Sequence, residues 1–264
     1  TLYKPEFLEA ARDVARKSMV LLKNDGNVLP LAADAERIAV IGPLGDSKTD
    51  MIGSWSAAGD RETRPVTVLE GMKAHAGNGV TVQYAKGASY EFGDEGKTDG
   101  FAEALALAKS SDVVVAVMGE KWDMTGEAAS RTSLDLPGNQ QALLEQLVAT
   151  GKPVVLVMMS GRPNSITWAN DNVPAILHAW YPGTQGGHAV ADVLFGDYNP
   201  SGKLPITFPI NVGQAPIHYD MKNTGRPIEL GEPGAKYVSR YLNTPNNPLY
   251  RFGYGLSYTT FGYS

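Results

Sequence analysis

The sequence predicts an α/β fold, a three-layer sandwich in which a mostly parallel sheet carries helices on both faces. Three observations carry that expectation. Short, continuous apolar runs recur along the chain, as strands covered on both sides require. Segments with apolar residues at helical spacing separate them, the alternation that produces right-handed βαβ crossovers. Most runs also stop at glycine or proline, where the backbone turns out of the sheet. With 264 residues, 43% of them hydrophobic, the chain has enough apolar side chains for one large core or two small ones.

In order, "PEFLEAARDVARKSMVLLKND" places Phe7, Leu8, Ala11, Val14, Ala15 and Leu21 near helical spacing and stops at Asn24-Asp25-Gly26, which predicts one amphipathic helix. "RIAVIGP" (37–43) is the first parallel strand. "GVTVQYAKG" is the second, followed by the alanine-rich helix "FAEALALAKS" and the strand "SDVVVAVMG". "NQQALLEQLVATG" leads as a helix into the strand "KPVVLVMMSG", and "VPAILHAWYPG" precedes the helix "QGGHAVADVLFGD". "KLPITFP" has prolines at its ends, which suits an edge strand. The tail from Ile210 to Ser264 is rich in Pro, Gly, Asn and Tyr and reads as an irregular segment wrapped over a surface, with Tyr254 and Tyr258 as packing residues.

Charge and composition exclude several functions. Lys and Arg number 23 against 28 Asp and Glu, a net charge of −5, so nucleic acid is not an expected partner. There is no cysteine, hence no disulfide, thiol nucleophile or thiolate metal site. No apolar run reaches the length of a membrane span, so membrane insertion is not expected. Thr1 to Pro5 lacks the basic and apolar regions of a signal peptide, so the chain reads as cytosolic or as an internal or processed piece.

Ligands of doubly wound sheets sit beyond the carboxyl ends of the strands, so the residues after each apolar run are the candidates. Gly42-Pro43-Leu44-Gly45-Asp46 lacks both G-x-G-x-x-G and a P-loop ending, and Gly183-Thr184-Gln185-Gly186-Gly187 fits close helix packing better than an anion cradle. His75, His178, His188 and His218 have no metal spacing, so neither metal nor cofactor is expected. Ser160-Gly161 is not part of a nucleophile elbow. The carboxylates remain. Glu120 follows Gly119 at the end of a strongly apolar strand, where burial beside Trp122 would favour a protonated general acid. Glu127 and Arg131 lie four residues apart and would pair on a helix, as a structural element of the loop.

Taken together, "ARKSMVLLKNDGNVLPL", "IAVIGP", "SDVVVAVMGE", "SRTSLDLPGNQ", "WYPGTQGGHAVADVLFGDYNPSGKLPITFP" and "YRFGYGLSYTTF" resemble the second domain of glycoside hydrolase family 3, particularly of bacterial periplasmic β-glucosidases. The resemblance spans essentially the whole chain, 1–264. It implies a six-stranded α/β sandwich that packs on an N-terminal (β/α)8-like barrel, with the active site in the crevice between them. That barrel, and any C-terminal fibronectin-like domain, are expected to lie outside this chain. In the family a barrel aspartate, typically within Ser-Asp-Trp, is the nucleophile; no Ser-Asp-Trp occurs here, so the chain alone is expected to be inactive. The family's acid/base often follows a Gly-Glu pattern, which makes Glu120 the first choice and Glu127 the second. The loop departs from the commoner pattern by carrying Ser130 where aspartate is usual. The implied reaction is retaining hydrolysis of terminal β-D-glucosyl residues of β-glucosides or β-gluco-oligosaccharides, in a periplasmic or secreted setting. Trp122 and Trp55 are candidates to border the aglycone, and Arg131 is a loop-ordering residue. The alternative is a noncatalytic scaffold or carbohydrate-contacting module, and a nucleotide-binding protein would need a phosphate loop that the sequence does not supply.

Overall fold

The computed structural model describes residues 3–56, 59–228, 235–260 and 262; of the tail singled out above, 229–234, 261, 263 and 264 lie outside the described residues. Six strands form one sheet: β1 (Val20–Asn24), β2 (Arg37–Ile41), β3 (Thr81–Ala85), β4 (Val113–Gly119), β5 (Val154–Met159) and β6 (Ala175–His178). Their order is β1-β6-β5-β4-β2-β3, with β1 antiparallel to β6 and every other pair parallel. The apolar runs explain the interior strands. All seven residues of β4 and all six of β5 are buried, and each fully buried Val or Met stabilises the fold by about 1.5–3 kcal/mol.

Alternation along each strand divides the core in two. Val113, Val115 and Val117 face a cluster built from α1 (Pro5–Ser18), α2 (Val68–His75) and α6 (Gly186–Phe195). Val114, Ala116 and Met118 face α3 (Phe101–Ser110), α4 (Gln140–Ala149) and α5 (Thr167–Asn172). The expected three-layer α/β sandwich is therefore the observed one, with three helices on each face. The N-terminus of α2 is closed by a capping box: Thr67 Oγ1 accepts the Glu70 N–H at 3.1 Å and the Glu70 carboxylate accepts the Thr67 N–H at 2.9 Å. The glycines of "GTQGG" serve packing, because a Cβ at Gly187 would lie 1.9 Å from the Thr67 carbonyl oxygen.

Two expectations about the sheet edge are corrected. The first apolar stretch is not one helix: α1 ends at Ser18, and Val20–Asn24 leaves it as the edge strand β1. Met19, Val20, Leu21 and Leu22 are all buried. Four consecutive buried residues exceed what one helix face can cover, whereas an edge strand held between two layers buries both its faces. Within α1 itself, Phe7 and Val14 are exposed, and the helix is held instead by Arg12 and Arg16, which both reach the buried Asp192 of α6. "KLPITFP" forms no strand; it is tied to the tail by an isolated bridge, Phe208 to Tyr250, and by backbone hydrogen bonds of Leu204 with Gly253 and Tyr254. Along the tail, Tyr250 donates to Asn170 Oδ1 at 2.7 Å, Tyr254 to the Leu22 carbonyl at 3.1 Å and Tyr258 to the Val193 carbonyl at 2.7 Å.

Candidate active site at the sheet's carboxyl edge

The chain runs from β2 outward to β3, then returns to the other side of β2 to lay down β4. The strand order thus reverses between β2 and β4, and the crevice beyond their carboxyl ends is where such sheets bind ligands. Two loops wall it: 42–56 with 59–67, after β2, and 120–139 after β4.

The second loop leaves the sheet through Gly119, whose φ is +142° and where a Cβ would sit 1.9 Å from the Met159 carbonyl oxygen. Only glycine allows β4 and β5 to stay this close as the chain turns. Glu120, the first-choice acid/base of the sequence reading, then points inward rather than into the crevice. Its side chain is 0% exposed. Arg131 Nη1 donates to Oε1 at 2.5 Å, and Ser160 Oγ donates to Oε2 at 2.5 Å. Arg162 Nε lies 3.2 Å from Oε2, an ion-pair contact without the alignment of a hydrogen bond. Both oxygens are engaged and neither reaches solvent.

This arrangement also corrects the expected Glu127–Arg131 pair. The loop is not helical here: Gly126 and Ala128 have φ of +102° and +57°, so the i, i+4 geometry is absent. Arg131 turns to Glu120 and to the Asp135 carbonyl, at 3.0 Å, instead. Glu127 is exposed, on the outward excursion between those two left-handed residues. A non-glycine residue held in the left-handed region, like Ala128, is strain of the kind that collects at functional loops.

The two tryptophans differ. Trp122 is half-buried; its N–H donates to Asp50 Oδ1 at 2.7 Å, and the Arg61 guanidinium covers one ring face at 3.9 Å from the centroid. Trp55 sits on a 3-10 turn of the first loop and is 77% exposed, with its indole nitrogen beside Gly126. It therefore neighbours the excursion that carries Glu127.

Several site residues escaped the sequence reading. Asp50 is buried, and that burial raises its carboxyl above the usual range, opposed by hydrogen bonds from Ser47 and the Trp122 N–H. Tyr181, next to the left-handed Trp180, lies over both the Glu120 and Lys121 carbonyls at 3.1 and 2.9 Å; burial raises its phenol pKa. Arg162 reaches the Met124 and Ala129 carbonyls. Phe92 is exposed and lines, with Lys121, Met124, Ala129 and Arg131, a cleft of about 270 Å³ beside the loop. The available signal for Ser160 and Arg162 was their place directly after the apolar run of β5. Elsewhere, His75, Asp192 and Asp197 come within 4.8 Å of one another, but Asp192 is already bound by Arg12 and Arg16 and the group is remote from this edge. Among the described residues no helix is long and apolar enough to cross a membrane.

The Glycosyl hydrolase family 3 C-terminal domain matches residues 19–258. The chain is similar to a periplasmic beta-glucosidase of Salmonella typhimurium, with 51% identity over 95% of this chain and 35% of that protein. A beta-xylosidase of Formosa agariphila is 42% identical over 98% of this chain and 35% of its own length. Among solved structures, a beta-glucosidase from Listeria innocua in complex with isofagomine superposes with a TM-score of 0.89 and 37% identity, covering 97% of this chain and 34% of that one. The chain thus spans about a third of the length of these relatives. It belongs to glycosyl hydrolase family 3, as that family's C-terminal domain.

Proposed function

We propose that this domain supplies the acid/base to a retaining β-glycosidase whose nucleophile lies in the remaining two thirds of the polypeptide, and that the acid/base is Glu127 rather than Glu120. One observation carries the assignment: of the two glutamates at the crevice, Glu127 alone is exposed, while both oxygens of Glu120 are bound inside by Arg131, Arg162 and Ser160. A general acid must bring its proton within hydrogen-bond reach of the leaving oxygen. Glu120 has no accessible surface from which to do so.

In this reading the carboxyl group of Glu127 faces the barrel nucleophile across the crevice at about 5 to 5.5 Å, the separation that retention of configuration requires. It protonates the departing glycosidic oxygen as the nucleophile forms the glycosyl-enzyme. The resulting carboxylate then takes a proton from the water that attacks the same carbon. Trp55, exposed next to the excursion, offers an aromatic face to the aglycone sugar; Trp122, with one face taken by Arg61, anchors the loop. The names of the relatives support β-glucosides, with β-xylosides as the neighbouring class, and a periplasmic setting.

The test uses the complete polypeptide. Glu127→Ala should slow hydrolysis of an alkyl β-glucoside by about 10² to 10⁴-fold, the usual worth of acid catalysis, and spare formation of the glycosyl-enzyme from a dinitrophenyl glucoside. Azide should restore turnover and yield β-glucosyl azide. If Glu127→Ala shows neither effect, the acid comes from the barrel and this domain serves as a scaffold for the crevice.

A further inference from the structure

The geometry points to Arg162 as a positioning residue that fixes the height of Glu127 in the crevice. This inference rests on the reading of Glu127 given above.

Arg162 lies in the short loop after β5, forty-two positions from Glu120, and its guanidinium makes three contacts at once. Nη2 donates to the carbonyl of Met124, and to that of Ala129 at 2.8 Å. Nε lies against Glu120 Oε2 at 3.2 Å. The two carbonyls bracket Glu127, so one planar group ties down both feet of the excursion from Thr125 to Ala128. Within that excursion the backbone is already restricted by the left-handed Gly126 and Ala128. With both feet held, few conformations remain to the residue between them.

Arg162 is itself held. Its backbone N–H donates to Ser160 Oγ at 3.1 Å, and the Ser160 hydroxyl donates to Glu120 at 2.5 Å. Arg131, on the far side of the loop, completes the neutralisation of Glu120. The side chains of Arg162 and Arg131 are 17% and 9% exposed, so these bonds form away from bulk water, where they hold geometry most firmly. A buried charge cluster of this kind is weak evidence for stability, since apolar replacements often fold as well. Its effect here is to define one shape for the strand-to-loop turn. Lysine does not reproduce it: a single ammonium on a flexible stem lacks the fork that spans two carbonyls and a carboxylate. Displacement of a reacting group by about 1 Å can cost on the order of 10²-fold in rate.

The complete polypeptide is assayed as wild type, Arg162→Met, Arg162→Lys and Glu127→Ala, each on an alkyl β-glucoside and on 2,4-dinitrophenyl β-glucoside. Loss of positioning should lower kcat/KM for the alkyl substrate by about 10 to 100-fold in Arg162→Met, and for the dinitrophenyl substrate, which needs little proton donation, by no more than about 3-fold. The ratio between substrates is the readout that a merely structural role would not move, because partial unfolding removes active enzyme equally for both. Arg131 still neutralises Glu120 in Arg162→Met. Should that variant nonetheless fail to fold, Arg162→Lys keeps the charge and carries the same test, with the same skew expected. An unchanged ratio in the folded Arg162 variants, alongside a skewed ratio in Glu127→Ala, overturns the role of Arg162 and leaves Glu127 standing. An unskewed Glu127→Ala removes both.

Discussion

His178 is one side chain through which acid is expected to destabilise this domain. It ends β6 with 0% exposure, and its ring stands edge-on to Trp180 and Phe208 at centroid distances of 4.1 and 5.3 Å. Neither ring nitrogen has a hydrogen-bond partner among the described residues. Burial alone pushes its pKa from 6.5 down to about 3, so the folded state keeps the imidazole neutral where the unfolded chain protonates it. The contribution is fully present above pH 6.5 and is lost as pH falls toward 3. Each pH step below 6.5 removes about 1.4 kcal/mol, so roughly 2 kcal/mol is gone by pH 5 and on the order of 5 kcal/mol by pH 3. Urea denaturation of wild type and His178→Leu at pH 8, 7, 6 and 5 isolates this group from the carboxylates, which both proteins share. Near pH 8 the variant should lie within about 1 kcal/mol of wild type, because it removes unpaired polar atoms and keeps a similar volume. At pH 5 it should be ahead by roughly a further 2 kcal/mol. A stability difference that stays constant across that range, or the imidazole resonance of His178 in the folded protein titrating near 6.5, would refute the reasoning.

Two further outcomes follow from the same structure. Gly119→Ala should destabilise the chain by more than about 2 kcal/mol in chemical denaturation, since a Cβ there meets the Met159 carbonyl at 1.9 Å in a left-handed backbone; wild-type stability would contradict the tight β4–β5 exit. Limited proteolysis of the 264-residue chain should cut in 217–228 or 235–247 before the core strands, since Tyr219, Met221, Tyr237 and Leu242 are exposed there, beyond the last helical turn among the described residues at Val212–Gln214. Equal resistance of those segments and the core strands would count against it.

What the sequence revealed, and what it concealed, divides along the reach of each interaction. The parallel strands were legible because burial on both faces writes itself into consecutive residues, as in Val113 to Met118, and α3, α4 and α6 because their inward stripe repeats within a turn or two, whereas the short α2 and α5 went unread. The edge strand was not, since the helical period of α1 continues plausibly through Met19 to Leu22 and only the antiparallel register with β6 assigns Val20 to His178. The loop after β4 stood out in the sequence as a candidate, because position beyond a strand's carboxyl end is a local property. The surroundings of its two glutamates were not legible: Glu120 is enclosed and Glu127 exposed. Whether a carboxylate after Gly119 faces the crevice or the interior depends on the cations that meet it, and one of them, Arg162, comes from the loop of another strand. Arg131 misled for the converse reason: its spacing from Glu127 suggested a local pair, but that inference presumed a helix, and the left-handed Gly126 and Ala128 break it. Glu120, bound by Ser160 and Arg162 from the loop of another strand, looks free in the sequence, whereas Glu127, which seemed to have a partner at hand, is the one left at the surface. Which carboxylate of this loop stays at the surface thus follows from where Arg131 and Arg162 turn.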